Sequence, residues 1–317
     1  MPDATVAIVR ACLREGRGGS PTAVLDEADL GEADLSDDAR RTVPARTGTS
    51  HAVYVSAADG GPAGPEVSLR FFTAAGELPA CGHGTVAALA FLAERAGVQE
   101  FRAPVRTPGR VFTGHAVRTG GRYSATFDPG PVDVREPAAD EHAAVLDALG
   151  LTPDTLTPDT LTPDTLTADT LTADTLTADT LAPGARIAAL GRPRLLVPVP
   201  SRTVLAALTP DFDRLRAACD RLGLLGCYVH CVPTAEGRLA ARMFAPSIGV
   251  PEDIANVNST ACLAAHLART GVTDLTVDMG DTLGMPATIT AAAQPGPHGP
   301  LIHIGGAATT ARIVRPA

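Results

Sequence analysis

Arg70-Phe-Phe-Thr-Ala-Ala-Gly-Glu-Leu-Pro-Ala-Cys-Gly-His-Gly-Thr85 is the stretch on which the fold turns. It opens as an apolar strand, Ser68 to Thr73, and breaks at Gly76 and Pro79. A short loop of small and polar residues, Ala80 to Thr85, then leads into Val86-Ala-Ala-Leu-Ala-Phe-Leu-Ala93. That run is apolar on every face and stops at Gly97, so it reads as a buried helix from Val86 to Ala96. The same order returns far downstream. Arg242-Met-Phe-Ala-Pro-Ser-Ile-Gly-Val-Pro251 ends a strand, and Glu252-Asp-Ile-Ala-Asn-Val-Asn258 leads to Ser259, which reads as the N-cap of a helix from Thr260 to Arg269. This second helix is also apolar all round and stops near Gly271.

Working outward, much of the rest alternates as strands: Tyr54 to Ser56, Arg110 to Val117, Arg122 to Phe127, Leu195 to Val199, Ala240 to Ala245, Ala287 to Thr290 and Leu301 to Ile304. The expected architecture is α+β, two pseudo-symmetric halves, each a curved mixed sheet or barrel around one central helix. The first half is expected to span 1–128 and to be completed by a C-terminal strand at about 300–317. The second spans 129–299. Two buried helices would then start at one junction. Their free N–H groups make that junction a cleft suited to an anion.

One segment stands apart. Leu151 to Thr180 is six tandem pentapeptides, three Leu-Thr-Pro-Asp-Thr and then three Leu-Thr-Ala-Asp-Thr. Proline at 153, 158 and 163 opposes a continuous helix, and a period of five suits neither helix nor strand. It is expected to be a solvated insertion, with an interaction arm as the alternative.

Composition narrows the function. The chain has 317 residues, 45% of them hydrophobic, and a net charge of −9, with no basic run to attract nucleic acid or an anionic membrane. No apolar stretch reaches the ~20 residues of a membrane span, and Met1 to Arg14 lacks the pattern of a signal peptide, so a cytoplasmic protein is expected. All 26 basic residues are arginine. Without lysine there is no Schiff base to pyridoxal phosphate and no Walker-type phosphate loop. Six cysteines are expected as reduced thiols. Cys227-Tyr-Val-His-Cys231 has the wrong spacing for a common metal half-site and alternates like a buried strand. No metal and no cofactor are expected.

These motifs resemble the phenazine-biosynthesis PhzF-like family, within the diaminopimelate epimerase and proline racemase fold. Gly19-Ser-Pro-Thr-Ala-Val-Leu25 is similar to its early Gly-Asn-Pro-x-Ala-Val segment, and Glu77-Leu-Pro-Ala-Cys-Gly-His83 to Glu-Leu-Pro-Phe-x-Gly-His. Arg242-Met-Phe-Ala-Pro246 with Glu252-Asp253 resembles its later Arg-Met-Phe-x-Pro…Glu-Asp-x-x-Thr-Gly-Ser element. Gly284-Met-Pro286 and Ile304-Gly-Gly306 resemble its closing elements. The resemblance implies a diaminopimelate epimerase-like fold, an isomerase of specialised-metabolite (antibiotic) biosynthesis, and an assembly that can be a homodimer.

The departures shape the expected chemistry. The family's acid/base glutamate lies in Ser-Glu-x-x-Phe-Val; here Ser50-His-Ala-Val-Tyr-Val55 puts His51 in its place. The family's Thr-Gly-Ser becomes Asn256-Val-Asn258. Cys81-Gly-His-Gly84 is also similar to the Cys-Gly-x-Gly of racemases, but their second cysteine would fall near Asn256 and is missing. His51 is expected to shuttle a proton near neutrality, since an imidazole titrates there. Cys81 stands before a buried helix, whose positive end favours a thiolate. His83 can donate to a carboxylate or a developing enolate. Asp253 can orient an amine or share a proton with a histidine. Ser50, Gly82, Gly84, Thr85, Asn256, Asn258, Ser259 and Gly305 are the expected substrate-binding positions around them. The ligand is expected to be a small carboxylate, with a cyclic, amino-acid-like intermediate favoured. Three functions follow: an allylic isomerase, an epimerase using Cys81 and His51, and a non-catalytic binding protein on the same fold.

Overall fold

The computed structural model describes residues 5–30, 36–58, 65–151, 184–297 and 299–314. The pentapeptide insertion therefore lies, beyond Leu151, outside the described residues. The first half contributes β1 (Val6–Ala11), β2 (Ser20–Asp26), β3 (His51–Ala58), β4 (Glu66–Thr73), β5 (Gly76–Leu78), β6 (Glu100–Thr107), β7 (Arg110–Thr119) and β8 (Arg122–Phe127). The second contributes β9 (Asp133–Arg135), β10 (Arg186–Ala189), β11 (Pro193–Val199), β12 (Cys227–Cys231), β13 (Arg238–Ala245), β14 (Val250–Asp253), β15 (Asp274–Met279), β16 (Ala287–Gln294) and the long β17 (Leu301–Val314). The helices are α1 (Asp37–Thr47), α2 (Gly82–Ala96), α3 (Ala139–Ala148), α4 (Arg202–Ala207), α5 (Phe212–Arg221) and α6 (Val257–Ala268).

In the first half the hydrogen-bonded order is β1-β2-β3-β4-β6-β7-β8-β17 and back to β1, a closed eight-stranded barrel. Only β2–β3 and β4–β6 pair in parallel. The second half repeats the plan as β9-β10-β11-β12-β13-β15-β16-β17, with β11–β12 and β13–β15 parallel. β14 hangs on β13 as β5 hangs on β4. No ladder joins β9 to β17 among the described residues, so this second sheet curves without closing. β17 serves both halves. Leu301–Gly305 pairs with β16, Ile304–Ala308 with β8 and Ala308–Val314 with β1.

α2 runs through the closed barrel against all eight strands. Its apolar run from Val86 to Ala93 is buried, apart from the partly buried Phe91. Such packing needs local relief. Gly114 of β7 provides it, because a Cβ there would fall 2.4 Å from the Leu89 side chain. Truncating a buried leucine like Leu89 to alanine typically costs ~2–5 kcal/mol. α6 takes the matching place in the second sheet, against β9, β10, β15, β16 and β17. The outer faces are covered too. α1 closes Leu25, Tyr54 and Phe72 under Val43, and α3, α4 and α5 cover Leu195, Val197 and Phe244.

The two central helices are the expected ones, with the expected stops, but both start earlier. α2 begins at Gly82, with Cys81 as its N-cap, rather than at Val86. α6 begins at Val257, and its N-cap is Asn256 rather than Ser259. Glycine-rich sequence argues against helix by propensity. Here the glycines answer to packing: a Cβ on Gly84 would meet Val53, the Cys81 sulfur and Phe71 at 2.9 to 3.1 Å.

Candidate active site

The starts of α2 and α6 meet head to head. A Cβ on Gly82 would lie 2.5 Å from the Val257 Cβ and 2.9 Å from Asn258 Oδ1, so only glycine lets the two helices approach this closely. Beside this junction opens a cavity of about 600 Å³, walled by both halves. His51, Cys81, Gly82, His83, Asp253, Asn256 and Asn258 stand on that wall.

Five expected binding residues do not. Gly84 is packed as described above. The Thr85 N–H and hydroxyl both go to the Cys81 carbonyl at 2.9 Å, so Thr85 has no donor to give a ligand. Ser259 gives its N–H to Asn256 Oδ1 and its hydroxyl to Met243 sulfur, inside α6. Ser50 lies behind His51, with Oγ 2.9 Å from Nδ1. Gly305 belongs to β17, where a Cβ would fall 1.9 Å from the Ala125 carbonyl oxygen; it is a strand-crossing glycine.

β3 delivers His51 at its first residue, 3% exposed, and α2 delivers His83 in its first turn, 2% exposed. Their rings meet edge to face, with centroids 4.5 Å apart. Two imidazoles this close do not both carry charge, and their surroundings decide which does. Burial, reinforced by the charge on His83, holds His51 well below its ordinary value, so it is neutral at pH 7. Burial also pulls His83 down. The adjoining Cys81, then Asp253 and the Ala255 carbonyl, outweigh it together and push His83 up to about 9. His83 Nδ1 donates to the Ala255 carbonyl at 3.0 Å, which fixes the ring and leaves Nε2 at 3.5 Å from the Cys81 sulfur. Asp253 is raised by burial and partly restored by His83 and by Asn256, whose amide donates to Oδ2 at 3.0 Å. The wall thus carries a neutral base, a charged donor, a thiol and a carboxyl group.

One donor atom from each of His51, Cys81 and His83 lies within 4.8 Å of the others, and this is the trio among the described residues that could share a metal ion. The Cys227–Cys231 strand is buried as expected, between β11 and β13. Strand alternation sends Cys227 and Cys231 to the core under α3–α5, while His230 takes the opposite face and gives Nδ1–H to the Cys231 carbonyl at 3.0 Å.

Several wall residues were not among the expected site positions. Glu77 is held by Arg70 at 2.7 and 2.8 Å. Arg110 arrives from the start of β7, Arg192 from the turn before β11 and Arg194 from the second residue of β11. The visible signal for the last two was the Gly-Arg-Pro-Arg194 run opening an apolar strand.

The phenazine biosynthesis-like protein family pattern matches residues 11–312. The chain belongs to that family. Among curated relatives, an uncharacterised isomerase, YddE, of Escherichia coli K12 is 25% identical over 81% of this chain and 76% of its own. The trans-2,3-dihydro-3-hydroxyanthranilate isomerase of Pseudomonas fluorescens is 26% identical over 87% of this chain and 85% of its own. A solved structure of a predicted epimerase from Pseudomonas aeruginosa superposes with a TM-score of 0.74 at 21% identity, covering 98% of both chains. That likeness speaks for the fold, which is the diaminopimelate epimerase-like fold expected from sequence. Family membership and the named relatives make the chain an enzyme of the isomerase class. No helix among the described residues is long and apolar enough to cross a membrane.

Proposed function

We propose that this isomerase is cofactor-independent and moves a proton along an allylic system in a small carboxylate-bearing substrate. A cyclic, amino-acid-like intermediate of specialised metabolism is the favoured class. The observation that carries the reading is the neutral His51 set 4.5 Å from the charged His83 on one cavity wall. Neighbouring groups whose environments push their charge states apart divide the roles of base and acid. His51 accepts the proton from carbon. His83, with a proton to spare at pH 7, donates a hydrogen bond to the charge that develops on the substrate. His51 then returns the proton to a carbon on the same face, further along the conjugated system. The bonds that form and break are one C–H each, with the double bond moving between them. Asp253 and Asn256 hold the polar end of the ligand.

A second reading is an epimerase in which Cys81 and His51 act from opposite faces of one carbon. It is favoured by Cys81 standing on the wall with His83 Nε2 at 3.5 Å from its sulfur. Incubation with dihydro-hydroxyanthranilate and with unsaturated cyclic amino acids in D₂O tests both. A proton shift changes the ultraviolet spectrum and places deuterium at a new carbon. Epimerisation inverts a centre and leaves the spectrum alone. Neither change in any such substrate, with His51 intact, overturns the proposal.

A further inference from the structure

Three arginines are buried among the described residues: Arg40, Arg194 and Arg242. Two have carboxylates. Arg40 pairs with Glu27 at 2.8 Å, and Arg242 takes both oxygens of Glu252 at 2.9 and 2.8 Å. Arg194 has none within ion-pair distance among the described residues, although it is only 2% exposed. Its Nη1 donates to the Asn258 carbonyl at 3.2 Å and the Cys262 sulfur at 2.9 Å. Its Nη2 donates to the carbonyls of Arg192 at 2.9 Å and Leu190 at 3.4 Å, and its Nε–H has no acceptor at all. Four neutral acceptors hold the guanidinium in place without cancelling its charge.

A buried cation of this kind is costly: taking a charge out of water needs an opposite charge to repay it. Arg194 forms part of the cavity wall, on the side built by the second half, next to Asn258 and the start of α6. The helix start adds further positive potential at the same place. The chemical groups for proton transfer, His51, Cys81 and His83, come from the first half. We infer that Arg194 supplies the positive charge that recognises the substrate carboxylate, the ligand being the counter-ion this guanidinium lacks. It is a specificity residue, and it selects a carboxylate over the uncharged amide or ester of the same shape. The inference deepens the isomerase reading and rests on it only for the presence of a carboxylate ligand.

The test is a binding comparison that needs no turnover. The probes are 2-aminobenzoate and 2-aminobenzamide, matched in size and differing in charge, titrated calorimetrically into the full chain. The wild type is expected to bind the carboxylate at least ~10-fold more tightly, since 1.4 kcal/mol of charge recognition gives that ratio. Arg194→Met should abolish the preference and Arg194→Lys should keep part of it. Arg214→Met, which removes an exposed arginine paired with Asp147 and away from the cavity wall, should leave it unchanged. Because the lone charge destabilises the empty protein, Arg194→Met is expected to melt no lower than the wild type. A folded Arg194→Met that still prefers the carboxylate overturns the inference. So does a wild type that shows no preference or binds neither probe. If Arg194→Met fails to fold, an Arg194→Lys protein with the full wild-type preference and an Arg214→Met protein without it overturn the assignment, and the reverse pattern supports it. The isomerase reading fails separately, through the absence of proton movement in D₂O.

Discussion

Replacing Gly82 with alanine adds one methyl group where two helices begin. The new carbon falls 2.5 Å from the Val257 Cβ and 2.9 Å from Asn258 Oδ1, both well inside the 3.4 Å at which ordinary contact begins. Neither helix start can yield freely: α2 is enclosed by eight strands, and α6 is tied through Asn256 to Asp253 and Ser259. Overpacking a core typically costs ~1–3 kcal/mol. Alanine recovers part of this, up to ~1 kcal/mol, through its higher helix propensity. The net loss is then ~1–2 kcal/mol, a fall in Tm of roughly 2–6 °C for a chain of this size. The partner substitution, Val257→Gly, gives up a buried side chain at ~1.5–3 kcal/mol. Joined in one protein, the two changes move the glycine from one helix start to the other and remove the contacts with Val257, leaving only the Asn258 Oδ1 approach, which a turn of that side chain relieves. The double variant should therefore be more stable than the sum of the singles by at least ~1 kcal/mol. Thermal and denaturant melts of the four proteins measure this coupling. Strict additivity, within the ~0.3–0.5 kcal/mol found for independent sites, would refute the claim that the helix starts are in contact through Gly82.

Other consequences are more quickly stated. His51→Ala should lower turnover by at least ~10²-fold, the low end for a general acid–base group, and His51→Glu should restore part of it; near-full turnover in His51→Ala alongside a dead Cys81→Ala would reverse the roles assigned here. Cys81→Ala should be mild for a proton shift along one face and as severe as His51→Ala for an epimerisation. Dialysis against a chelator should leave turnover unchanged, and activity lost and then regained with a metal would make the His51–Cys81–His83 trio a metal site. Burial, only partly offset by the Cys231 carbonyl, holds His230 down at about 4, below an unfolded value of ~6.5. Its neutral form therefore contributes stability above pH ~6.5 that is lost as the pH falls through about 4, on the order of 3 kcal/mol. His230→Asn, whose amide can still reach the Cys231 carbonyl, should flatten that part of the acid limb in a pH series of urea melts; an unchanged limb would show that another group controls it.

The two central helices were legible because a run apolar on every face admits only a buried place. Their stops at Gly97 and Gly271 were legible for the same local reason, glycine at positive φ. Their starts were not. Cys-Gly-His-Gly-Thr looks like loop by propensity, and only the crowding from Val53, Phe71 and Val257 explains glycine inside the first turn of α2. β6 went unread although Glu100–Thr107 alternates exposed and buried at every residue, because Pro104 interrupts the apolar pattern. The motif residues of the site were picked out by their chemistry: a histidine at the position where the resemblance expects a carboxylate, and a cysteine before a buried helix. Arg194 could not, since an arginine near a strand start is ordinary until the fold shows it buried without an acid.

Both halves follow the same plan, a β-arm leading into a buried helix, but the two helix starts carry different groups. α2 carries Cys81 and His83, groups that can move protons, and the facing β3 adds His51. α6 carries Asn256, which caps its own helix and holds Asp253, and Val257, whose side chain fills the space that Gly82 vacates. A racemase that works from both faces of a carbon needs matched proton carriers on both helix starts. Here the second start offers hydrogen bonds and, through Arg194, a positive charge. On the proposed reading that asymmetry suits a one-face proton shift: the second half would grip the polar end of the ligand and leave the reacting groups on one side.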